Sequence, residues 1–497
     1  MPPVTLASLF SDGWRRAGDD GPLLVTADGP GLSYGQAATG AQRYRRALRR
    51  LGVERGDRVA VQVEKSPDAV LVYLACLQLG AVYVPLNPGY TAGEVAHVVA
   101  DAQPRVVIVD PGLPRPDGVT CRTLDTSGGG TLAADASAAE RDEESPETPP
   151  QPQDPAVLLY TSGTTGRPKG APLTQGNLGS NAETLRRAWG FGPGDCVAHA
   201  LPIYHAHGLL VALNVSLVNG TPLFWFARFD PRGLVDTAGR WTVFMGVPTH
   251  YVRLLAEPGC SAERLAGVRL WVSGSAPLLA ATHEEWQGRT GQRILERYGM
   301  TETVMLTSNP LEGERRPGSV GLPLEGVEVR LAPNAGPDGI GEIQVRGPNV
   351  FSGYWRRSDL QETTFAAGGW FRTGDLGSFD PDGYLRIVGR SKDLVISGGL
   401  NVYPKEVEAV LDSLPGVAES AVVGLADPDW GEAVAAAIVA RPGEHLDPEV
   451  LREAARRQLA GYKVPRRIEV VNELPRNAMG KVEKATIRRM LDTGTVK

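Results

Sequence analysis

The stretch YTSGTTGRPKG, Tyr160 to Gly170, follows the apolar run AVLL and crowds glycines, hydroxyl side chains and Lys169 together. Glycines let the backbone turn its N–H groups toward one point, hydroxyls add donors and the lysine adds charge, which describes a cradle for phosphate. It is not the GxxxxGK[ST] phosphate loop, because Lys169 is followed by Gly170. A second stretch, ILERYGMTETVM at residues 294–305, sets Glu296 and Arg297 among apolar neighbours ahead of Thr301 and Glu302. In a strand, successive side chains point to opposite faces, so Glu296 and Arg297 cannot simply neutralise one another. Each needs its own partner. Further charges stand beside turn residues: Asp375 in RTGDLG, Arg390 and Lys392 in GRSKD, and Lys481 in PRNAMGKVEK. Taken singly, an Asp after Gly is a turn residue and a lysine near the C-terminus is solvated charge.

Holding such groups in place takes a layered scaffold. Runs such as RVAVQV, RVVIVD, AVLLYTSG, RLWVSG and GEIQVRG alternate with helical patterns such as GQAATGAQRYRRALRRLG, which predicts α/β layers with buried sheets. At 497 residues the chain exceeds one hydrophobic core, and a change of pattern near GRSKDLVISGGLNVYP divides it into residues 1–390 and a small α+β lid, 391–497. The segment AVLVYLACLQLGAVYVPL is split by Gln78, Gly80 and Pro85 into a helix and a short strand rather than a membrane span. Between Asp125 and Pro155 the Gly, Ala, Ser, Glu and Pro content predicts a surface loop. With 57 acidic and 51 basic residues and scattered arginines, there is no footprint for nucleic acid, so small molecules are the expected partners. Cys76, Cys121, Cys196 and Cys260 lie far apart without metal-ligand spacing, and the N-terminus is a poor secretory signal, so a cytoplasmic protein is expected.

YTSGTTGRPKG closely resembles the phosphate loop of the adenylate-forming superfamily, which includes acyl-CoA synthetases, peptide-synthetase adenylation domains and beetle luciferases. PLNPGYTAGEVAHVVADAQPRVVI, ERYGMTET, GEIQVRGPNVFSGYW, GWFRTGDLG, GYLRIVGRSKDLVISGGLNVYP and PRNAMGKVEK resemble its further motifs along nearly the whole chain. The resemblance implies a large N-terminal domain of layered α/β sheets with a β-barrel-like subdomain, and a mobile α+β lid. It also implies a reaction in which ATP activates a carboxylate as acyl-AMP and a thiol, that of coenzyme A, then displaces AMP. On that resemblance Thr161, Ser162, Gly163, Thr164, Thr165 and Lys169 hold the outgoing phosphates, Thr301 donates to the α-phosphate and Glu302 holds Mg2+. Gly274, Ser275 and Ala276, with Tyr298, Gly299 and Met300, form the adenine slot. Asp375 takes the ribose hydroxyls with Arg390 beside it, and Lys481 reaches the reacting carboxylate and α-phosphate. Lys392 is the hinge, and Ser397, Gly398 and Gly399 face the pantetheine tunnel. Lys481 is also a candidate for acetylation.

Arg297 bears on which acid is used. A pocket arginine without a counter-anion is costly to desolvate, whereas a second substrate carboxylate satisfies it with charge-assisted bonds. That favours a short dicarboxylate. YHAHGLLVALNVSL, GVPTHY, VSGSAPL and ERYGMTETVMLTSNP resemble the malonyl-CoA synthetase branch, with His207 and Ser273 helping Arg297 and Met305 closing the cavity. Ala206 is small enough to leave room for methylmalonate. An ion pair within the chain is the competing reading of Arg297. The competing functions are a short-chain or aryl acyl-CoA synthetase, a stand-alone adenylation enzyme that acylates a carrier protein, and an inactive nucleotide sensor.

Overall fold

The computed structural model describes residues 5–139, 148–161, 168–333, 335, 339–397, 400–476 and 481–493. Among these residues, four sheets carry the fold. The first runs Thr120–Thr123, Val106–Val109, Arg58–Gln62, Val82–Pro85, Pro155–Thr161, Lys169–Thr174, parallel until the last strand turns back antiparallel. The inner strands Val106–Val109, Arg58–Gln62 and Val82–Pro85 are largely apolar and buried on both faces, as parallel sheets require. The second has nine strands, and its parallel centre includes Leu295–Tyr298, Leu270–Ser273, Val243–Gly246, Val197–His199 and Leu223–Trp225. One apolar cluster runs through both sheets and the helices between them.

Local chemistry explains the elements. The predicted helix forms over Tyr34–Arg50, started by a capping box in which Ser33 and Gln36 satisfy each other's backbone N–H groups. The long apolar segment is the helix Pro67–Leu79, ended by Gly80 at φ 72°, followed by the strand Val82–Pro85. No described helix is long and apolar enough to cross a membrane. The predicted loop after Asp125 departs from expectation, because Thr131–Ala138 is helical with Leu132 and Ala136 buried. Hydrogen bonds between Thr123 and Thr131 and the core behind the helix outweigh its weak composition. Residues 140–147 lie outside the described residues.

A five-stranded antiparallel sheet includes Glu328–Leu331, Gly341–Arg346, Trp370–Phe379 and Leu385–Arg390. The last sheet, built around the hairpin of Val417–Asp427 and Gly431–Ala440, has its own core, including Val395, Val407, Leu411 and Ile438. The chain is thus a mixed α/β fold with a large N-terminal and a small C-terminal domain. Leu385–Arg390 pairs in one sheet and Val395–Ser397 in the next, so the change of sheet falls at the turn Ser391–Asp393.

Candidate active site

The site lies where the parallel strands of the nine-stranded sheet end. Val272 pairs with Leu295 and Ser273 with Glu296, so the carboxyl ends of two strands place Ser273, Gly274, Arg297 and Tyr298 close together. That edge is where open α/β sheets bind ligands. Glu296 and Arg297 do meet different neighbours. A Glu296 carboxylate oxygen accepts from the Gly318 N–H at 3.2 Å. Burial raises its pKa from 4.5 to about 7. The folded state therefore holds this proton more tightly than the unfolded chain does. The stability it contributes is full below pH 4.5 and is lost as the pH rises through 7. Glu296→Gln should flatten that slope, worth at most about 3 kcal/mol, in melting curves recorded at pH 5 and pH 8. An unchanged slope assigns the dependence to other groups.

Arg297 is 4% exposed, and its Nε and Nη2 have no hydrogen-bond partner. Among the described residues no carboxylate forms an ion pair with it, so the competing reading of an ion pair within the chain finds no support there. Its guanidinium lies on Gly274, where a Cβ would stand 2.3 Å from Cζ, so any larger residue there would have to push the guanidinium aside. Burial lowers its pKa to about 9, which leaves it a cation at neutral pH. Nearby, the buried Ser273 Oγ and His207 Nε2 are also unpartnered. His207 Nδ1 lies 3.3 Å from the Ser275 Oγ. Burial, with Arg297 beside it, holds the His207 pKa well below the usual imidazole value. A neutral ring that accepts from Ser275 at Nδ1 carries its proton at Nε2, and one that donates to Ser275 there presents Nε2 as an acceptor. Guanidinium, imidazole nitrogen and hydroxyl together make a set of buried polar groups without partners, of which the guanidinium can only donate.

The next turn is tight. Val304 sits at φ 57°, unfavourable for a β-branched residue by about 1–3 kcal/mol. Its carbonyl oxygen would lie 1.8 Å from a Cβ at Gly299, and the Met305 Cε 2.7 Å away, so the turn closes only over glycine. It presents Thr301 and Glu302. Glu302 is 5% exposed, its pKa is raised by burial, and it accepts from the Tyr354 hydroxyl at 2.8 Å.

Tyr354 is a contact that sequence reading missed. Its ring lies 5.1 Å from the Lys169 Nζ. The Phe351 N–H donates to the Glu302 carbonyl at 2.9 Å and the Trp355 N–H to the Gly170 carbonyl at 2.8 Å, so this segment straps the strand Lys169–Thr174 to the Glu302 turn. The only sequence signal was the match of GYW to a family motif. Tyr354→Phe should slow ATP–pyrophosphate exchange about tenfold, the usual worth of one hydrogen bond to a charged group. An exchange rate within twofold of wild type would leave the strap to its backbone bonds alone.

Asp375 is 4% exposed, paired in register with Arg390 across the sheet. Its two oxygens meet the Tyr298 hydroxyl at 2.5 Å and the Arg390 Nε at 3.0 Å. Tyr298, expected at the adenine, is therefore anchored through its hydroxyl to the ribose candidate. Lys481 retains an exposed surface, yet desolvation, and then the Arg390 charge, lowers its amine pKa, with Asp375 and Glu302 opposing and Arg297 also felt. The small domain thus brings Lys481 within electrostatic reach of Arg390, Asp375, Glu302 and Arg297. Thr161 pairs in register with Lys169, at either end of the stretch expected to hold phosphate. Ser162, Gly163, Thr164 and Thr165, like Gly398 and Gly399, lie outside the described residues. Ser397 is buried in the lid sheet opposite Gly431, Lys392 lies in the turn between sheets, and Ala276 is exposed. No group of three or more His, Cys, Asp or Glu side chains suited to a metal ion occurs among the described residues. The single carboxylate of Glu302 fits Mg2+, which is commonly held by one or two carboxylates with substrate phosphates.

A family model described as AMP-binding enzyme matches residues 13–355, and one for the AMP-binding enzyme C-terminal domain matches residues 406–481. A sulfoacetate–CoA ligase of Cupriavidus necator is 37% identical over 481 residues, 94% of this chain and 94% of that protein. A malonate–CoA ligase of Arabidopsis thaliana is 33% identical over 528 residues, 95% of this chain and 86% of that protein. ATP-bound MatB from Rhodopseudomonas palustris is 45% identical, covers 97% of this chain and 98% of its own, and superposes with a TM-score of 0.92. The apo form of that protein gives 0.82.

Proposed function

We propose that this chain, which belongs to the AMP-binding enzyme family and is an AMP-forming acyl-CoA ligase, takes a short dicarboxylate, malonate above all, as its acid. The observation that carries this reading is the buried guanidinium of Arg297, with two nitrogens unpartnered. A substrate bearing a second anion supplies what the chain does not. One carboxylate takes bidentate bonds from Arg297, with the His207 Nε2–H and Ser273 O–H completing the shell, while Met305 closes the cavity. The other carboxylate is left toward Thr301 and Lys481.

There it attacks the α-phosphate of ATP, pyrophosphate leaves, and the coenzyme A thiol then displaces AMP from the acyl-AMP. Thr301 and Lys481 bind the α-phosphate oxygens as charge develops. Thr161, Ser162, Gly163, Thr164, Thr165 and Lys169 take the leaving phosphates. Tyr298, Gly299, Met300, Gly274, Ser275 and Ala276 enclose the adenine, and Asp375 with Arg390 holds the ribose. Bound at Glu302, Mg2+ would neutralise charge on the phosphates. The lid, 391–497, turns about Lys392 between the half-reactions and brings Ser397, Gly398 and Gly399 to the thiol tunnel.

Two relatives whose acids carry a second anionic group, malonate and sulfoacetate, support the dianion reading. Sulfoacetate is the second reading, since its sulfonate occupies the place of the distal carboxylate one carbon from the reacting carboxyl. Buried Ala206 leaves room for the methyl of methylmalonate. The test is pyrophosphate release with malonate, methylmalonate, sulfoacetate, acetate, butyrate and an aryl acid. Malonate should exceed acetate and butyrate by about 10^4 in kcat/KM, because a polar pocket rejects an analogue that leaves it unpaired. Faster turnover of monocarboxylates overturns the proposal, and a sulfoacetate preference selects the second reading.

A further inference from the structure

Lys65 is a buried cation with no part in the chemistry above. It is 9% exposed, and its Nζ donates to the carbonyls of His199 at 2.7 Å and Phe226 at 2.6 Å, lying 4.1 Å from the Trp225 ring centre. These carbonyls stand at the ends of two neighbouring parallel strands, Val197–His199 and Leu223–Trp225, so one amine ties both ends. His199 is 1% exposed and stacks on Trp225 with centroids 5.3 Å apart and planes at 18°. Its Nε2 lies 2.9 Å from the Gly208 carbonyl. A carbonyl only accepts, so Nε2 carries the proton. Burial, with Lys65 beside it, holds the ring neutral, which leaves this tautomer in place.

Gly208 belongs to the first turn of a π-helix, His207–Leu213, a rare geometry that concentrates at functional sites. A Cβ at Gly208 would lie 2.1 Å from the Pro202 carbonyl oxygen, so the turn is seated against backbone on that side. The hydrogen bond to His199 fixes it on another. His207 is the residue immediately before Gly208, and its unpartnered Nε2 belongs to the set of buried polar groups around Arg297.

We propose that His199 is a positioning residue for the acid substrate: by holding the Gly208 carbonyl, it sets the first π-helical turn so that the His207 Nε2 faces the acid. This rests on the reading of His207 as a substrate contact. Trp225 and Lys65 hold the ring and the strand end from which it acts. Acid binding then depends on a residue that never touches the acid.

The test compares His199→Phe, which keeps the stack and loses the donor, with His199→Gln, whose amide nitrogen takes the place of Nε2. His199→Asn, too short to reach Gly208, is a second loss variant should His199→Phe fail to fold. In the full chain, His199→Phe should raise the KM for the preferred acid about tenfold and leave the KM for ATP within about twofold. His199→Gln should return the acid KM to within about threefold of wild type. Parallel rises in both KM values, or no recovery with Gln, reduce His199 to core packing and overturn the proposal. The acid is whichever one the wild-type panel prefers. A monocarboxylate preference would thus sink the dicarboxylate reading while the acid-against-ATP comparison still decides His199.

Discussion

Arg297→Leu should lower kcat/KM for malonate by about 10^3–10^4 while leaving the protein as stable as wild type or more so. The two halves follow from one fact, a guanidinium that is 4% exposed with Nε and Nη2 unpartnered. In the free enzyme that charge is desolvated and unmatched, so removing it relieves a penalty rather than breaking a pair. With malonate bound as proposed, the same charge would make paired hydrogen bonds to carboxylate, among the strongest a side chain offers. Leucine also fits the contact with Gly274, where no Cβ obstructs it. Malonate turnover and melting temperature should therefore move in opposite directions, and weak activity on butyrate should appear. Malonate activity kept within a few-fold would remove Arg297 from the acid site. A sharp fall in melting temperature would make its role structural.

Much of this site was legible in the chain because its chemistry is local. Glycines, hydroxyls and one lysine in eleven consecutive residues describe a phosphate cradle wherever they fold. Strand alternation alone separated Glu296 from Arg297, and in the structure one meets the Gly318 N–H while the other lies on Gly274. Contacts that link distant segments left no such trace. Glu302 and Tyr354 are 52 residues apart, and no periodicity pairs them. His199 drew no notice in the sequence, because its partners, Lys65, Trp225 and Gly208, come from three other places in the chain. The helix Thr131–Ala138 was hidden by a composition that fails to favour folding until the core supplies a surface for Leu132 and Ala136. Unpartnered atoms are the least legible feature, since a missing partner is a property of the packed interior rather than of any residue.

Lys481→Ala should lower acyl-AMP formation by about 10^2–10^3, the worth of one preorganised donor to developing charge, and leave thioester formation from supplied acyl-AMP near wild type. The separation follows from where the residue is carried. Lys481 belongs to the lid, and its amine responds to Arg390, Asp375, Glu302 and Arg297 together, so in this arrangement it reaches phosphate and acid candidates at once. Its neighbourhood is braced inside the lid by the Lys484–Glu408 ion pair at 2.7 Å and the bridge between Arg476 and Val482. On the proposed turn of the small domain about Ser391–Asp393, the lysine would be carried along with it. If the small domain turns for the thiol step as proposed, Lys481 leaves the site, and its loss should not matter there. A pH profile adds an independent sign. Desolvation lowers the amine pKa, so the alkaline limb of adenylation should fall at a lower pH than an ordinary lysine gives, and the thioester step should lack that limb. Equal loss of both half-reactions, or a shared alkaline limb, would place Lys481 in both steps and remove the lid's turn from the account.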